Sequence, residues 1–503
     1  MTISEISGLR LIMNAHSNHI SNIMASSCRL FTDAQLDEIH LAALEILRRT
    51  GVRVYDDEAL NLLHGAGCVI EDRTLVKFPA SVIEDALLYA PSRIVLCDRN
   101  GDPRMYLEGH NTYFGTGSDL PNTLDLETGE RRLSILSDVE NTARLVDYLP
   151  NLDFAMSMAL PSDVPAETAD RYSFLAMIKN TIKPVVFTAW NEVGLKDIIN
   201  MANIIAGSAE KLSLNPFLLA YLEPTSPLQH SKEAVRKLLL MADHRLPVVY
   251  APGAIEGASA PVTAGGSLAM SSAEALSGLV IAQLRNKGTP FVWGSGGGPL
   301  DMRTAIFSYG SPEFMLHCMG MAELGHYYYH IPVWGFSGCS DSKLSDIQAG
   351  IESALWILWT ALSGANLVHD IGYIESGLTC SYEMIVICDE IISFVRRLLG
   401  GVDLSKEMMA LDVIHEVGPG GSYIETLHTL NHFDKVWYPR FFDRRTYSAW
   451  VDADKPMAIK IANEVAREAI SKHKVNLLST SMLESLNEII KKTDKRASNT
   501  QDD

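Results

Sequence analysis

Two apolar stretches separated by one helical stretch indicate the fold: PVWGFSG at residues 332–338, then NLVHDIG at residues 366–372. Residues 346–363 lie between them and carry apolar side chains at helical spacing. Each apolar stretch is short, rich in β-forming residues and apolar on both faces. This pattern is typical of parallel strands that are buried on both sides and joined by a crossover helix.

The same unit repeats through the middle of the chain. Eight apolar runs occur at residues 112–118, 152–160, 184–190, 216–223, 247–253, 290–296, 332–338 and 366–372. Helical segments follow them at residues 137–149, 168–180, 195–206, 231–243, 271–286, 312–329, 346–363 and 379–399. Eight strand–helix units predict an α/β fold of the (β/α)8 TIM-barrel type. An open doubly wound sheet is the alternative, because periodicity alone does not close a sheet.

Helix-start signals support this division. Capping boxes are predicted at Thr32/Gln35, Ser137/Glu140, Ser271/Glu274 and Ser345/Gln348, and Ser311 precedes Pro312, which suits a first helical turn. We therefore predict three regions: a mostly helical N-terminal accessory segment at 1–105, the barrel at 106–403, and a C-terminal helical lobe with a polar tail at 404–503.

Composition excludes some classes of function. A net charge of −19 argues against nucleic acid as a partner, because phosphate binding requires a basic surface. The seven cysteines are scattered, without a disulfide framework or a structural zinc pattern. Neither a signal peptide nor a membrane span is predicted, since the apolar region 354–368 is short and interrupted. We expect a cytoplasmic protein that does not associate with membranes.

In a parallel barrel the functional residues lie at the carboxyl ends of the strands. Reading those ends, including Asp119, Tyr221 and Asp370, and the loops after them predicts a set of substrate-binding residues: Glu223, Tyr250, Trp293, Trp334, Phe336, Asp341, Lys343, His369 and Tyr373. Aromatic faces attract quaternary ammonium groups, and Glu223 and Asp341 would balance the positive charge. The structural alternative is that the tryptophans fill the interior, the carboxylates cap helices or loops, and His369 is a core histidine.

Two other patterns bear on cofactor and metal binding. The run GSGGGP at 294–299 lacks the lysine of a phosphate loop, and its glycines suit close approach of a loop or a large planar cofactor. We predict cofactor contacts at Ser295, Gly296, Gly297, Ser337 and Gly338. Zinc at His317, Cys318, His326 and His330, or at Cys339, is the weaker alternative, and no metal is expected.

Several separated motifs are found together in one known family. They are LDLETGER (124–131), PLDMRT (299–304), GSPE (310–313), GCSDSK (338–343), DIQAGIE (346–352), LHTLNH (427–432), WYPR (437–440) and DRRTY (443–447). In this order they resemble the trimethylamine methyltransferase superfamily, and in particular its members without pyrrolysine, typified by glycine betaine:corrinoid methyltransferase. The founding members use pyrrolysine on trimethylamine, whereas this sequence has standard residues throughout.

The resemblance implies a (β/α)8 barrel that transfers a methyl group from a quaternary amine, such as glycine betaine, to the Co(I) corrinoid of a partner protein. No cofactor is expected to be bound tightly, and no catalytic residue is assigned. If the substrate is a betaine, Lys343, His369 and the backbone N–H groups of 294–298 or 337–340 are candidates for its carboxylate. Alternatives are a bulkier betaine, such as proline betaine or carnitine, and a non-catalytic betaine-binding or regulatory barrel. A homo-oligomer is expected.

Overall fold

A computed structural model describes residues 28–476 and 478–500. The N-terminal part combines helices with short strands. Its helices are α1 (Asp33–Glu45), α2 (Asp57–Gly65) and α3 (Ala80–Tyr89), with a π-helical turn at Ile46–Thr50; its strands are β1 (Val52–Val54), β2 (Val69–Glu71), β3 (Leu75–Lys77), β4 (Ile94–Cys97) and β5 (Pro103–Leu107). The predicted capping box at its start is confirmed, because Thr32 accepts from the Gln35 amide and Gln35 accepts from the Thr32 amide.

The central part alternates strands and helices. Its strands are β6 (Tyr113–Phe114), β7 (Asn122–Leu124), β8 (Arg131–Leu133), β9 (Val185–Phe187), β10 (Leu218–Leu222), β11 (Gln229–His230), β12 (Val248–Tyr250), β13 (Gly253–Glu256), β14 (Phe291–Val292), β15 (Gly296–Asp301), β16 (Ile306–Phe307), β17 (Trp334–Phe336), β18 (Leu367–His369), β19 (Tyr373–Ile374) and β20 (Thr379–Cys380). Its helices are α4 (Leu136–Tyr148), α5 (Ala169–Asn180), α6 (Glu192–Ala206), α7 (Ala209–Leu214), α8 (Lys232–Asp243), α9 (Ala264–Arg285), α10 (Pro312–Glu323), α11 (Ile347–Ser363) and α12 (Tyr382–Leu399). A 3₁₀ turn at Ala166–Thr168 precedes α5, and a π-helical turn at Leu324–Tyr329 follows α10.

The long strands of this part pair in parallel. One sheet has the order β14-β12-β10-β9 and a second has the order β17-β18-β6. Their residues are buried except for the half-buried Tyr221, as expected for strands covered by helices. The fold is therefore mixed α/β with parallel strands. Seven of the eight predicted runs contain a strand; the run 152–160 forms only single bridges, at Phe154, Ala155 and Ala159.

Three of the predicted helix starts were wrong. Helix α4 begins at Leu136, where Asp138 accepts from the Ile135 amide, so Ser137 lies inside the helix. Helix α9 begins at Ala264, seven residues before Ser271, because the small residues that precede Ser271 continue the helix. Helix α11 is capped by Asp346, whose carboxylate accepts from the Ala349 amide. The cap at Ser311, with Pro312 in the first turn, is confirmed.

Helix α9 is deeply packed, with most of its residues buried. It is the one helix in the described part of the chain that is long and apolar enough to cross a membrane, but 94% of its most apolar window is buried inside the protein. Apolar burial on this scale is what stabilises a helix in a protein core. Glu274, in the middle of α9, is fully buried as well.

The C-terminal part is helical. It contains α13 (Lys406–Met409), α14 (Leu411–Val417), α15 (Leu427–His432), α16 (Tyr447–Asp452), α17 (Ala458–Lys472) and α18 (Thr480–Thr500), with a 3₁₀ turn at Phe433–Lys435. Helices α13 to α16 have no buried residue, whereas α17 packs on α12 through Ala462, Ala466 and Ala469. Residues 404–457 therefore lie on the surface of the chain.

Candidate functional site

Side chains from three parallel strands, which belong to two sheets, meet at the carboxyl ends of β10, β17 and β18. We define this aromatic–acidic cluster by its members: Tyr221, Glu223, Trp334, Phe336, His369 and Asp370. Strands β17 and β18 bring Phe336 and His369 into register as direct partners. Trp334 lies two residues before Phe336, so both side chains project from the same face of β17.

The rings of the cluster surround His369. Its centroid lies 4.2 Å from that of Trp334 and 4.3 Å from that of Phe336, with both pairs steeply inclined. Tyr221 closes the group, 5.2 Å from Trp334 and 5.8 Å from His369. These separations are typical of favourable aromatic pairs. Trp334 and His369 are buried, but the indole Nε1 of Trp334 has no hydrogen-bond partner in the described part of the chain.

Glu223 supplies one negative charge at the edge of these rings. The Tyr221 hydroxyl donates to its Oε1 in a very short hydrogen bond. Its side chain is accessible to water, yet the surrounding protein desolvates it and raises its pKa, although the bond from Tyr221 acts in the opposite direction. Accessible surface on a desolvated group indicates a recess rather than an open, convex surface. The charge of Asp119 raises the pKa of Glu223 further, so the two carboxylates lie near each other.

Asp119 follows β6 and, like Glu223, is an accessible carboxylate that the surrounding protein desolvates. It has a φ of +63° and an accessible side chain, while burial raises its pKa against hydrogen bonds from Thr188, Ser118 and Ser157. A positive φ at a non-glycine residue is uncommon and often marks a functional position.

Asp370 is the third carboxylate and is 3% exposed. Its φ is +75°, and its Oδ1 lies 2.5 Å from Nδ1 of His369 without a hydrogen bond of acceptable geometry. A Cβ at Gly117 would lie 2.3 Å from both Asp370 Oδ1 and the Tyr373 hydroxyl, so glycine is required there. Tyr373 donates to the Ser118 carbonyl at 2.5 Å. Tyr373 is therefore adjacent to the cluster, as predicted for a residue following β18.

Tyr309 completes the surroundings of Asp370. Burial raises the pKa of Tyr309 well above its ordinary value, and the charge of Asp370 adds to the effect. Its ring lies 6.4 Å from that of Tyr373. Sequence reasoning missed Tyr309 because it follows the short hairpin strand β16 and not one of the eight predicted runs. Asp119, Tyr221 and Asp370 were read as strand ends but were not assigned to the site.

Two predicted substrate-binding residues point away from the cluster. Tyr250 hydrogen-bonds His230 at 2.7 Å and packs against Gly278 of α9. Trp293 donates through Nε1 to the Met321 carbonyl at 2.9 Å and stacks edge-on with Tyr329. Both therefore face the helices outside the strands, because adjacent strand positions alternate between the two faces.

Asp341 and Lys343 lie in the loop between β17 and α11, outside the aromatic–acidic cluster. Asp341 accepts from the Tyr309 amide and from Ser376, each at 2.8 Å, and also from Ser308. It therefore holds loops together beside the cluster. Lys343 is exposed and its Nζ donates to the Asp341 carbonyl at 2.7 Å.

The five residues predicted for cofactor contact are all buried: Ser295, Gly296, Gly297, Ser337 and Gly338. A Cβ at Gly297 would lie 2.3 Å from the His317 ring, and one at Gly296 would lie 2.8 Å from Phe336. Ser295 donates to the Pro252 carbonyl at 3.0 Å. These glycines are thus required by the packing of side chains against β15, and the structure presents no open surface for a planar cofactor there.

The weaker zinc hypothesis finds no support in the geometry. No group of three or more His, Cys, Asp or Glu that could hold a metal ion occurs in residues 28–476 and 478–500. His317 contacts Ser267 and Ser295 at 3.3 and 3.2 Å, whereas His326 contacts the Gly364 carbonyl at 2.7 Å. His317 and His326 therefore make hydrogen bonds to different parts of the protein.

Aromatic rings and carboxylates lie together at the carboxyl ends of these parallel strands, and aromatic faces in general attract cations. The chain belongs to the trimethylamine methyltransferase family: the family model described as trimethylamine methyltransferase (MTTB) matches residues 10–498. It is therefore a member of a methyltransferase family.

Its relatives are similar over nearly the whole length. The chain is 30% identical to the trimethylamine methyltransferase MttB of Desulfitobacterium hafniense (strain DSM 10664 / DCB-2), covering 92% of this chain and 94% of the relative. It is 31% identical to MttB of Methanosarcina barkeri (93% and 95%) and 30% identical to the glycine betaine methyltransferase of D. hafniense (strain Y51) (84% and 88%). The crystal structure of the M. barkeri monomethylamine methyltransferase MtmB aligns with a TM-score of 0.45 and 14% identity, covering 89% and 95%.

Proposed function

We propose that this protein transfers a methyl group from a small quaternary amine to the cobalt(I) corrinoid of a partner protein. The observation that carries the proposal is the aromatic–acidic cluster, in which three rings and a histidine stand beside Glu223 and Asp370. The family membership supports methyl transfer, and the relative named glycine betaine methyltransferase supports a quaternary nitrogen.

The cluster suits a positively charged methyl donor. Ring faces of Tyr221, Trp334 and Phe336 would replace the hydration of an ammonium group, each cation–π contact contributing about 0.5–2 kcal/mol. The nearby carboxylates balance the charge without forming a covalent bond. These residues would hold the donor so that one N–CH₃ bond points outward.

The reaction needs little from the protein beyond orientation. The C–N bond breaks with its electron pair remaining on nitrogen, so a neutral tertiary amine leaves. Cobalt(I) supplies both electrons of the new cobalt–carbon bond, and no proton moves at the methyl carbon. Positioning and water exclusion dominate such a step.

We also infer that the parallel strands form one eight-stranded barrel with the cluster at its mouth. Single parallel bridges support this: Gly115 with Phe154, Ala155 with Val185, and Trp293 with Val333. They link the two parallel sheets through the predicted run 152–160 and through the ends of β14 and β17. An open mouth would let the corrinoid of a partner approach the bound methyl group.

Methylation of free cobalt(I) cobalamin tests the function. The purified protein is incubated with cobalt(I) cobalamin and one quaternary amine at a time, with trimethylamine as a comparison, and the absorbance is followed. We expect methylcobalamin from at least one quaternary amine and none from trimethylamine. A protein that binds a quaternary amine but never methylates cobalt would contradict the proposal in favour of a binding role.

A further inference from the structure

The charged groups around the aromatic–acidic cluster are mainly negative. The charge of Asp119 raises the pKa of Glu223, and the charge of Asp170 raises that of Asp119. The basic groups that act on Glu223 are His369, whose Nδ1 lies 2.5 Å from Asp370 Oδ1, and Lys237. Its Nζ is already bound to the Ala189 carbonyl at 2.6 Å. The recess therefore carries a net negative charge.

Several of the groups predicted to bind a substrate carboxylate are engaged elsewhere, and His369 already lies against a carboxylate, with Nδ1 2.5 Å from Asp370 Oδ1. The Ser337 amide donates to the His369 carbonyl at 2.9 Å, and the Ser340 amide donates to the Tyr373 carbonyl at 3.0 Å. The Gly296 amide donates to the Pro252 carbonyl at 2.9 Å. Lys343 is exposed and bound to the loop of Asp341. A carboxylate entering the cluster would thus lose its water without gaining these donors.

Two buried nitrogens of the cluster have no hydrogen-bond partner in the described residues, Nδ1 of His369 and Nε1 of Trp334. The first lies 2.5 Å from Asp370 Oδ1, so the donor that remains for another group is the neutral indole. Trp334 is 1% exposed, and its Nε1 has no hydrogen-bond partner in the described part of the chain, although its ring lies between those of Tyr221 and His369. A buried polar atom without a partner is costly and often marks a ligand position. An indole N–H binds an uncharged oxygen, such as a hydroxyl, but brings no positive charge to a carboxylate.

We propose that the methyl donor is a quaternary ammonium ion with a net positive charge and no carboxylate, of the choline or tetramethylammonium type, rather than a zwitterionic betaine. This rests on the proposed function, which assigns the donor to this cluster. The positive head group gains from Asp119, Glu223 and Asp370. A betaine would bring its own carboxylate among these three, where repulsion is weakly screened.

Calorimetric binding of tetramethylammonium, choline and glycine betaine in slightly alkaline buffer tests the charge preference. We expect choline or tetramethylammonium to bind about tenfold tighter or more than glycine betaine. Asp119→Asn and Glu223→Gln are expected to reduce this ratio, because each removes attraction for the cation and repulsion of the betaine. Glu192→Gln is the charge-matched control, since Glu192 pairs with Lys196 at 2.6 Å on an exposed helix turn.

The outcomes separate this inference from the proposed function. Tighter binding of glycine betaine by the unmodified protein would overturn the charge preference, even if betaine methylates cobalt. No binding of any of the three compounds would overturn it as well. Selective binding of the cations without methylation of cobalt would support the charge preference and contradict the proposed function.

Discussion

Trp334 and His369 meet across two adjacent parallel strands, with ring centroids 4.2 Å apart and planes inclined at 62°. The contact forms because Trp334 and Phe336 project from one face of β17 while His369 lies beside Phe336 in the register of β17 and β18. It places an aromatic surface, an unpartnered indole N–H and the carboxylate of Asp370 within one small region.

Trp334→Phe is expected to weaken the binding of a quaternary amine. Phenylalanine keeps a ring but has a weaker quadrupole and no N–H, so the loss should be about 0.5–2 kcal/mol. Calorimetry would show this as a rise in Kd of about 2- to 30-fold.

Trp293→Phe is the matched control for this change. Trp293 is equally buried, but its Nε1 donates to the Met321 carbonyl outside the strands. Kd should stay unchanged, while the free energy of unfolding should fall by about 1–3 kcal/mol from the unpaired carbonyl. Equal effects of the two substitutions on Kd would contradict the assignment of Trp334 to the site.

Binding of a cation should strengthen as the pH rises. Burial raises the pKa values of both Glu223 and Asp119. The titratable groups that face Glu223 are Tyr221, Asp119, His369 and Lys237. The free carboxyls thus keep their protons to a higher pH than exposed ones, whereas a bound cation favours their ionised forms. Binding therefore releases protons, and Kd falls until the pH exceeds the raised pKa values.

Calorimetry in two buffers with different ionisation enthalpies measures this proton release directly. Glu223→Gln should reduce the number of protons released, because one of the titrating groups is lost. Proton uptake on binding, or a release that Glu223→Gln leaves unchanged, would show that Glu223 does not face the bound cation.

Glu274 should make the stability of the fold depend on pH. It is fully buried in α9, where it accepts from the Leu228 amide at 2.6 Å and from Ser226 at 2.7 Å, and burial raises its pKa from 4.5 to about 7. Between these values the folded chain keeps a proton that the unfolded chain has lost. The free energy of unfolding therefore decreases as the pH rises through this range, by an amount on the order of 3 kcal/mol.

Urea denaturation of the unmodified protein and of Glu274→Gln at several pH values isolates this contribution. Other groups titrate in both proteins, so only the difference in slope belongs to Glu274. The slope should be less steep in Glu274→Gln. Parallel pH profiles for the two proteins would rule out a protonated Glu274 in the folded state.

Substituting a glycine of β15 tests whether glycine is required there by side-chain packing or by contact with a cofactor. A Cβ at Gly297 would lie 2.3 Å from the His317 ring, so Gly297→Ala should destabilise the fold by about 1–3 kcal/mol. Gly253, on the parallel partner strand, has no atom within 4 Å of such a Cβ, and Gly253→Ala should be neutral or slightly stabilising. Normal stability of Gly297→Ala with impaired cobalt methylation would instead favour the predicted cofactor contact.

Periodicity predicted the central elements well, because strands buried under helices must be apolar throughout. It failed where a helix begins before a favourable capping residue. Ser271 lies inside α9, because Ala264–Met270 are small or apolar enough to extend the helix towards its N-terminus. It also failed at 152–160, where the strand contacts reduce to single bridges. Such boundaries depend on tertiary packing, and no local pattern encodes them.

The site was only partly predictable for a related reason. Trp334, Phe336, His369 and Glu223 are predicted because they lie at or near strand ends, and the structure brings these four together. The same rule also predicts Tyr250 and Trp293, which point away from them. Which face of a strand end points inward depends on register, and a shift of one residue reverses it. Tyr309 comes from a hairpin outside the repeat, so its approach to Asp370 required the structure.

The most direct test of the central claim is the stoichiometry of methyl transfer. The protein is incubated with cobalt(I) cobalamin and a quaternary amine carrying deuterated methyl groups, and both products are quantified by mass spectrometry and NMR. Transfer from a quaternary nitrogen predicts equal amounts of tertiary amine and methylcobalamin, with the deuterated methyl group on cobalt. Tertiary amine without labelled methylcobalamin, or neither product despite bound amine, would contradict the proposed methyl transfer.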